Sequence, residues 1–166
     1  LASINQSPIT QVDTFEVNHG LLFVLHNSGE VSLIGADSSR YDVNTQVDGE
    51  LVAKVAVTGN GSIGYVTVGG KSYVYPLDDI GQSADGWVLF TAGGNEGAKT
   101  IDMVGGQEHI EILTDGRYIS GMTGNGGGIY TGDYLLDTMP RQIFAGNHTT
   151  AVLEVDGYLS WQYGID

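Results

Sequence analysis

The chain has 166 residues, with 20 Asp plus Glu against 6 Lys plus Arg, a formal net charge of −14. A surface this acidic repels phosphate backbones and anionic lipid, so nucleic-acid binding and membrane insertion are not expected. Without Cys there are no disulfides or thiolate metal sites, and 41% apolar residues with nine Tyr is a globular composition, not a disordered one.

The elements read as strands, since Tyr, Val, Ile and Thr favour them and helical periodicity is scarce. The first unit is an apolar run before His26, a Ser28-Gly29 turn, the strand Val31-Ser32-Leu33-Ile34 and a closing Gly35. The polar spacer from Gly35 to Glu50 reads as loop, with room for one strand. The second unit turns at Gly69-Gly70 into Ser72-Tyr73-Val74-Tyr75; Pro76 predicts an early strand end or an edge position. After the loop "DDIGQSADG", Asp85-Gly86 leads into a further apolar strand ending at Phe90.

In the third unit the alternation Ile110-Glu111-Ile112-Leu113 predicts a strand with one buried face, followed by an Asp115-Gly116 turn and Tyr118-Ile119. The Gly-rich segment that follows reads as a rim loop with room for one strand, and its best helical candidate is a short turn at Tyr134 to Met139, stopped by Pro140. The fourth unit turns at Asp156-Gly157 into Leu159-Ser160-Trp161 and closes on Gly164. Gly accepts the positive φ of such hairpin turns and Asp tolerates it.

The turn glycines Gly29, Gly70, Gly116 and Gly157 recur at steps of 41, 46 and 41 residues. Periods in this range mark propellers, solenoids or arrays. One hairpin cannot bury its own apolar face, so the core is expected between units. The expectation is an all-β propeller or pseudo-propeller of four short antiparallel hairpin repeats. It forms one domain over 1–166, with repeat cores at about 9–37, 51–79, 98–125 and 140–166. The start at Leu1 without Met or a signal-like segment leads us to expect a piece of a longer protein.

Residues Gly105-Gly106, His109, Leu113, Asp115-Gly116, Tyr118, Gly124-Asn125 and Gly126 to Gly128 form one pattern. Gly146, His148, Leu153, Asp156-Gly157, Trp161 and Gly164 repeat it, His19, Gly29 and Gly35 match it less fully, and the second unit keeps little beyond Gly70. This pattern resembles the repeat of the chromosome-condensation-regulator family of β-propellers. The resemblance implies the propeller fold and a structural role for Trp161. Family repeats are longer and a family propeller normally has seven, so four short units imply an incomplete or distorted ring. No contact residue of the family's nucleotide-exchange surface is matched, so that activity is not carried over.

His19, His109 and His148 read as backbone-bonding residues between repeats, and His26 as a surface residue near a turn. Asn60-Gly61-Ser62-Ile63-Gly64 misses the first Gly of a nucleophile elbow and reads as a tight turn. No catalytic residue is expected. Asp42, Asn44, Asp48 and Glu50 place oxygen donors at alternate positions in a Gly-containing loop, the hard ligands that calcium prefers. Asp78, Asp79 and Asp85 are a weaker candidate. Tyr130 and Tyr134, with Asn125 and Asp133, offer aromatic faces beside polar groups, suited to a sugar ring or a protein surface.

Function tends to live on loops carried by a rigid scaffold. The reading is therefore a receptor-binding, adhesin-type domain for a cell-surface glycan or protein, at the cell exterior or on a virion such as a bacteriophage spike. Its other partner would be the remainder of its parent protein, with oligomers formed through the missing N-terminal part. The alternatives are an intracellular protein–protein interaction propeller and a polysaccharide-degrading enzyme.

Overall fold

A computed structural model describes residues 8–15, 21–34, 40–41, 49–59, 62–76, 88–90, 97–107, 109–123, 129–147 and 149–163, and no helix occurs among them. The strands are β1 (Ile9–Phe15), β2 (Leu21–His26), β3 (Val31–Ile34), β4 (Arg40–Tyr41), β5 (Val52–Val57), β6 (Ser62–Thr67), β7 (Ser72–Pro76), β8 (Val88–Phe90), β9 (Thr100–Gly105), β10 (His109–Thr114), β11 (Tyr118–Thr123), β12 (Ile129–Leu135), β13 (Gln142–Ala145), β14 (Thr149–Leu153) and β15 (Leu159–Tyr163). Among the described residues they make four antiparallel sheets in chain order: β1 to β4, β5 to β8, β9 to β12, and β13 to β15. Within each sheet, strands adjacent in sequence are adjacent in space.

Each expected hairpin is present as the second and third strand of a sheet. The spacers supply a preceding strand and, in the first three sheets, a fourth. The expected helical turn at Tyr134 to Met139 is not formed: Tyr134 and Leu135 end β12, and non-helical chain runs on to Pro140. Pro76 does end β7, but β7 is not an edge strand, because β8 pairs with Ser72 to Val74.

The four hairpin turns share one geometry. The carbonyls of His26, Thr67, Thr114 and Glu154 accept the N–H of Gly29, Gly70, Arg117 and Gly157. Those four residues carry positive φ. In the third turn the left-handed residue is Arg117, at φ 67°, and not Gly116, so the structural steps are 41 (29 to 70), 47 (70 to 117) and 40 (117 to 157) residues. The inner strands β1, β5 and β9 repeat a further irregularity, a register shift near the start of each, which adds local twist.

The core lies between sheets. Phe23, Leu25 and Leu33 of the first sheet pack on Val55, Val57, Ile63 and Tyr65 of the second. Ala56, Val66 and Val74 on the other face of the second sheet pack on Met103, Ile110 and Ile112 of the third. Leu113 and Ile119 on the far face of the third pack on Ile143 and Val152 of the fourth. The middle sheets are thus covered on both faces. All six residues of β6 and of β10 are buried, so β10 does not have the single buried face that its alternation predicts.

Backbone hydrogen bonds stitch the seams at both ends. At one rim, Gly59 N–H donates to Gly106 O and Gln107 N–H to Gly146 O, each at 3.0 Å. At the other, Thr100 N–H donates to Gly70 O at 2.8 Å. Between the inner strands, the Gln11 carboxamide stands in for a peptide group: it donates to Val55 O and accepts from Val55 N–H, both at 3.0 Å. Asp13 accepts from Val57 N–H at 2.8 Å, and Lys54 pairs with Asp102 on the next inner strand.

Gly70 and Gly157 separate two costs. Both have positive φ, 87° and 90°. A Cβ on Gly70 would lie 2.6 Å from the Lys99 Cβ, whereas one on Gly157 would meet nothing within 4 Å. Gly157→Ala should therefore cost only the backbone term, about 1–2 kcal/mol. Gly70→Ala should cost about 1–3 kcal/mol more, because the seam must open. Urea unfolding of both variants checks this; equal losses would contradict it.

Candidate functional site

The candidate site is built on the rim that carries the hairpin turns. Leu135 pairs with Tyr118 at the rim end of β12, and Leu136 N–H then donates to Arg117 O at 2.9 Å, which turns the chain along the rim. Arg117 reaches back to Asp137 O, and Thr138 donates to Glu154 at 3.3 Å, linking this segment to the β14–β15 turn. Glu154 also accepts from Ser160, and Asp156 accepts from Tyr158 N–H. The turns are therefore fixed by their own hydrogen bonds. They leave Tyr134, Leu135, Val155 and Tyr158 in solvent, Tyr158 being 73% exposed. Asp115, Asp137, Asp156, Lys99 and Arg141 are exposed around them. Large apolar and aromatic groups ringed by charges of both signs have the make-up of a protein interface.

The expected binding residues are only partly gathered there. Tyr130, Asp133 and Tyr134 lie in the strand β12, not in a rim loop. Tyr134 pairs with Ile119, Asp133 with Ser120 and, beyond a register shift between Gly121 and Met122, Tyr130 with Met122. Asn125 lies outside the described residues. The hairpin turn residues Val155 and Tyr158 were missed, and the signal available was two bulky apolar residues flanking Asp156-Gly157.

Of the expected calcium ligands, Asp42, Asn44 and Asp48 lie outside the described residues, as do Asp78, Asp79 and Asp85. The Glu50 carboxylate accepts from Gly69 N–H at 3.2 Å and lies 3.8 Å from Lys71 Nζ, which ties it to the β6–β7 turn. No group of three or more His, Cys, Asp or Glu gathers among the described residues.

His19 and His148 lie outside the described residues. His26 is not a surface residue: it is buried, with Nε2 3.1 Å from Ser32 Oγ. Ser62 is buried at the start of β6, where its N–H donates to Thr58 Oγ1 at 2.7 Å and closes the turn. His109 is buried beside Gly106, the one residue that leaves its ring room against Gly146 of the next sheet. Its Nε2 lies 3.8 Å from Glu111 Oε1, and Thr150 of the fourth sheet donates to that same oxygen at 2.9 Å. Both side chains are almost fully buried, His109 at 1% and Glu111 at 4% exposure.

Burial pushes the Glu111 carboxyl from 4.5 up to about 7, against the opposing hydrogen bond from Thr150. The folded state therefore holds its proton more tightly than the unfolded chain. The Glu111 contribution is most favourable below about pH 4.5 and is lost as pH rises through about 7, on the order of 3 kcal/mol in all. Glu111→Gln keeps an acceptor for Thr150 and removes the titration. Its stability relative to the parent chain should rise between pH 4.5 and 7 and then level off, read from denaturant unfolding across pH. A pH-independent difference would contradict the assignment.

No family model matches the chain, and no curated protein matches it significantly. Solved structures do. Human WBSCR16 superposes with a TM-score of 0.70 at 16% identity, over 95% of this chain and 48% of that one. Prp20p of Saccharomyces cerevisiae, described with its binding to Gsp1p and histones, gives 0.65 at 16% identity over 95% and 44%. BBS1N, in complex with ARL6DN, gives 0.66 at 16% identity over 96% and 53%. The fold is that of a β-propeller. The expected likeness to the chromosome-condensation-regulator propellers holds at the level of fold, since Prp20 is the yeast RCC1 protein. This chain spans about half the length of the propellers it matches.

Proposed function

We propose that this propeller-fold chain is a protein-interaction module whose rim between the β10–β11 and β14–β15 turns contacts a protein partner. The observation that carries the reading is the group Leu135, Val155 and Tyr158, held in solvent on hydrogen-bonded turns. A rigid scaffold loses little conformational entropy on binding, which favours such groups as anchors. The reading is also supported by Prp20p, described with protein partners, and by BBS1N, solved with one. It agrees better with these structural neighbours than the viral receptor-binding expectation does.

The test is cross-linking of the labelled chain in cell extract and on intact cells. A discrete protein adduct should form, and unlabelled chain should compete it away. Tyr158→Ala should compete about tenfold or more weakly, as loss of an interface anchor does. An adduct destroyed by removing glycans, or equal competition by Tyr158→Ala, would contradict a protein-binding rim at this site.

A further inference from the structure

The third seam, between the third and fourth sheets, carries two buried ionisable side chains among its apolar ones. Leu113, Glu111 and His109 alternate along β10, Leu113 packing with Ile143 and Val152 and Glu111 meeting the Thr150 hydroxyl at 2.9 Å. Glu111 pairs with Val104 on β9 and Gly121 on β11, and Gly121 pairs with Gly132 on β12. In its own sheet the carboxyl therefore has one side chain in its row, Val104, and two glycines. Ionisable groups are few around it among the described residues. The His109 ring lies 3.8 Å away on the same strand. Asp102 on β9 is held by Lys54, Tyr118 on β11 packs into the second seam, and Asp133 on β12 pairs with Ser120, in the row of Ile112. β13 and β14 carry none, and β15 has only Tyr163, opposite Thr149. Glu108 and His148, in the neighbouring turns, lie outside the described residues.

A carboxylate formed in this place meets almost no solvent, and opening the seam is what would hydrate it. Burial raises the Glu111 carboxyl to about 7, whereas an open seam returns it to its ordinary range. The closed seam thus binds a proton that the open seam releases. Opening becomes easier as pH rises from about 4.5 to about 7, and levels off once the closed seam is ionised too.

We propose that Glu111, with His109 and Thr150, is a proton-operated latch on the third seam: protonated, it keeps the third and fourth sheets together, and ionised, it lets them part locally. The rim lies over the same seam. Leu136, next to Leu135, is buried in it, and Thr138 donates across it to Glu154. The latch therefore controls whether Leu135 stands beside Val155 and Tyr158 as one surface. That consequence rests on the protein-interaction reading; the latch itself does not.

Amide hydrogen exchange followed by NMR tests it. Gln107 N–H bridges the third seam to Gly146 O, and Gly59 N–H bridges the second to Gly106 O. The exchange rate at Gln107 is divided by that of Glu111→Gln, which cancels the His109 titration. This ratio should rise by up to about tenfold per pH unit between about pH 5 and about pH 7 and then level, with no such rise at Gly59. Thr150→Val removes a bond that favours the carboxylate, so its rise should continue to higher pH than in the parent chain; this check stands even if Glu111→Gln does not fold. Glu108→Gln and His148→Gln should keep the response. A flat ratio at Gln107, an equal rise at Gly59, or a response lost in either of those two variants would overturn the latch. In the cross-linking competition, the parent chain should compete as well as Glu111→Gln near about pH 5 and more weakly above about pH 7. Equal competition throughout, with the exchange response intact, would break the link to the rim. Absence of any adduct would count against the rim reading alone, the exchange result still deciding the latch.

Discussion

The structure depends on burying sheet faces against one another. A single meander of this size has too little apolar surface to offset the conformational entropy of ordering it. Three seams, built around Phe23 and Val55, Ala56 and Ile112, and Leu113 and Ile143, solve the problem collectively. Almost everything else in the fold serves those seams. The Gly70 carbonyl holds Thr100, the Gly106 carbonyl holds Gly59, and the Gln11 amide fixes one inner strand to the next.

The same constraint explains the unusual polar groups. A carboxylate in a middle sheet has no solvent face to use, so Glu111 lies under the fourth sheet with a raised pKa and one strong partner in Thr150. His109 shares that interior, in space that Gly106 leaves open. Both read as structural groups of a seam. On the rim, by contrast, the turns satisfy their own backbone and leave Val155 and Tyr158 in solvent.

Much of this was legible in the sequence, because turns and apolar runs are local signals. Gly29, Gly70 and Gly157 marked their hairpins, and the strands after them fall where the apolar runs predicted. What escaped was set by tertiary context. Gly116 looked like the left-handed turn residue, but the hydrogen bond from the Thr114 carbonyl places Arg117 there. The Ile110 to Leu113 alternation looked half-solvated because one strand cannot announce that sheets cover both its sides. The Gly-rich chain around Tyr130 and Tyr134 read as loop, yet β11 offers it an edge to pair with. The site was less legible than the fold, since exposure at Tyr158 depends on what packs nearby.

The central claim is that stability resides in the seams and not in the individual sheets. Two isoleucines of the third sheet separate the alternatives: Ile112 is buried in the second seam, and Ile101 is half exposed. In denaturant unfolding at neutral pH, Ile112→Ala should lose about 2–5 kcal/mol, and Ile101→Ala no more than about 0.5 kcal/mol. Similar losses at the two positions would contradict the account.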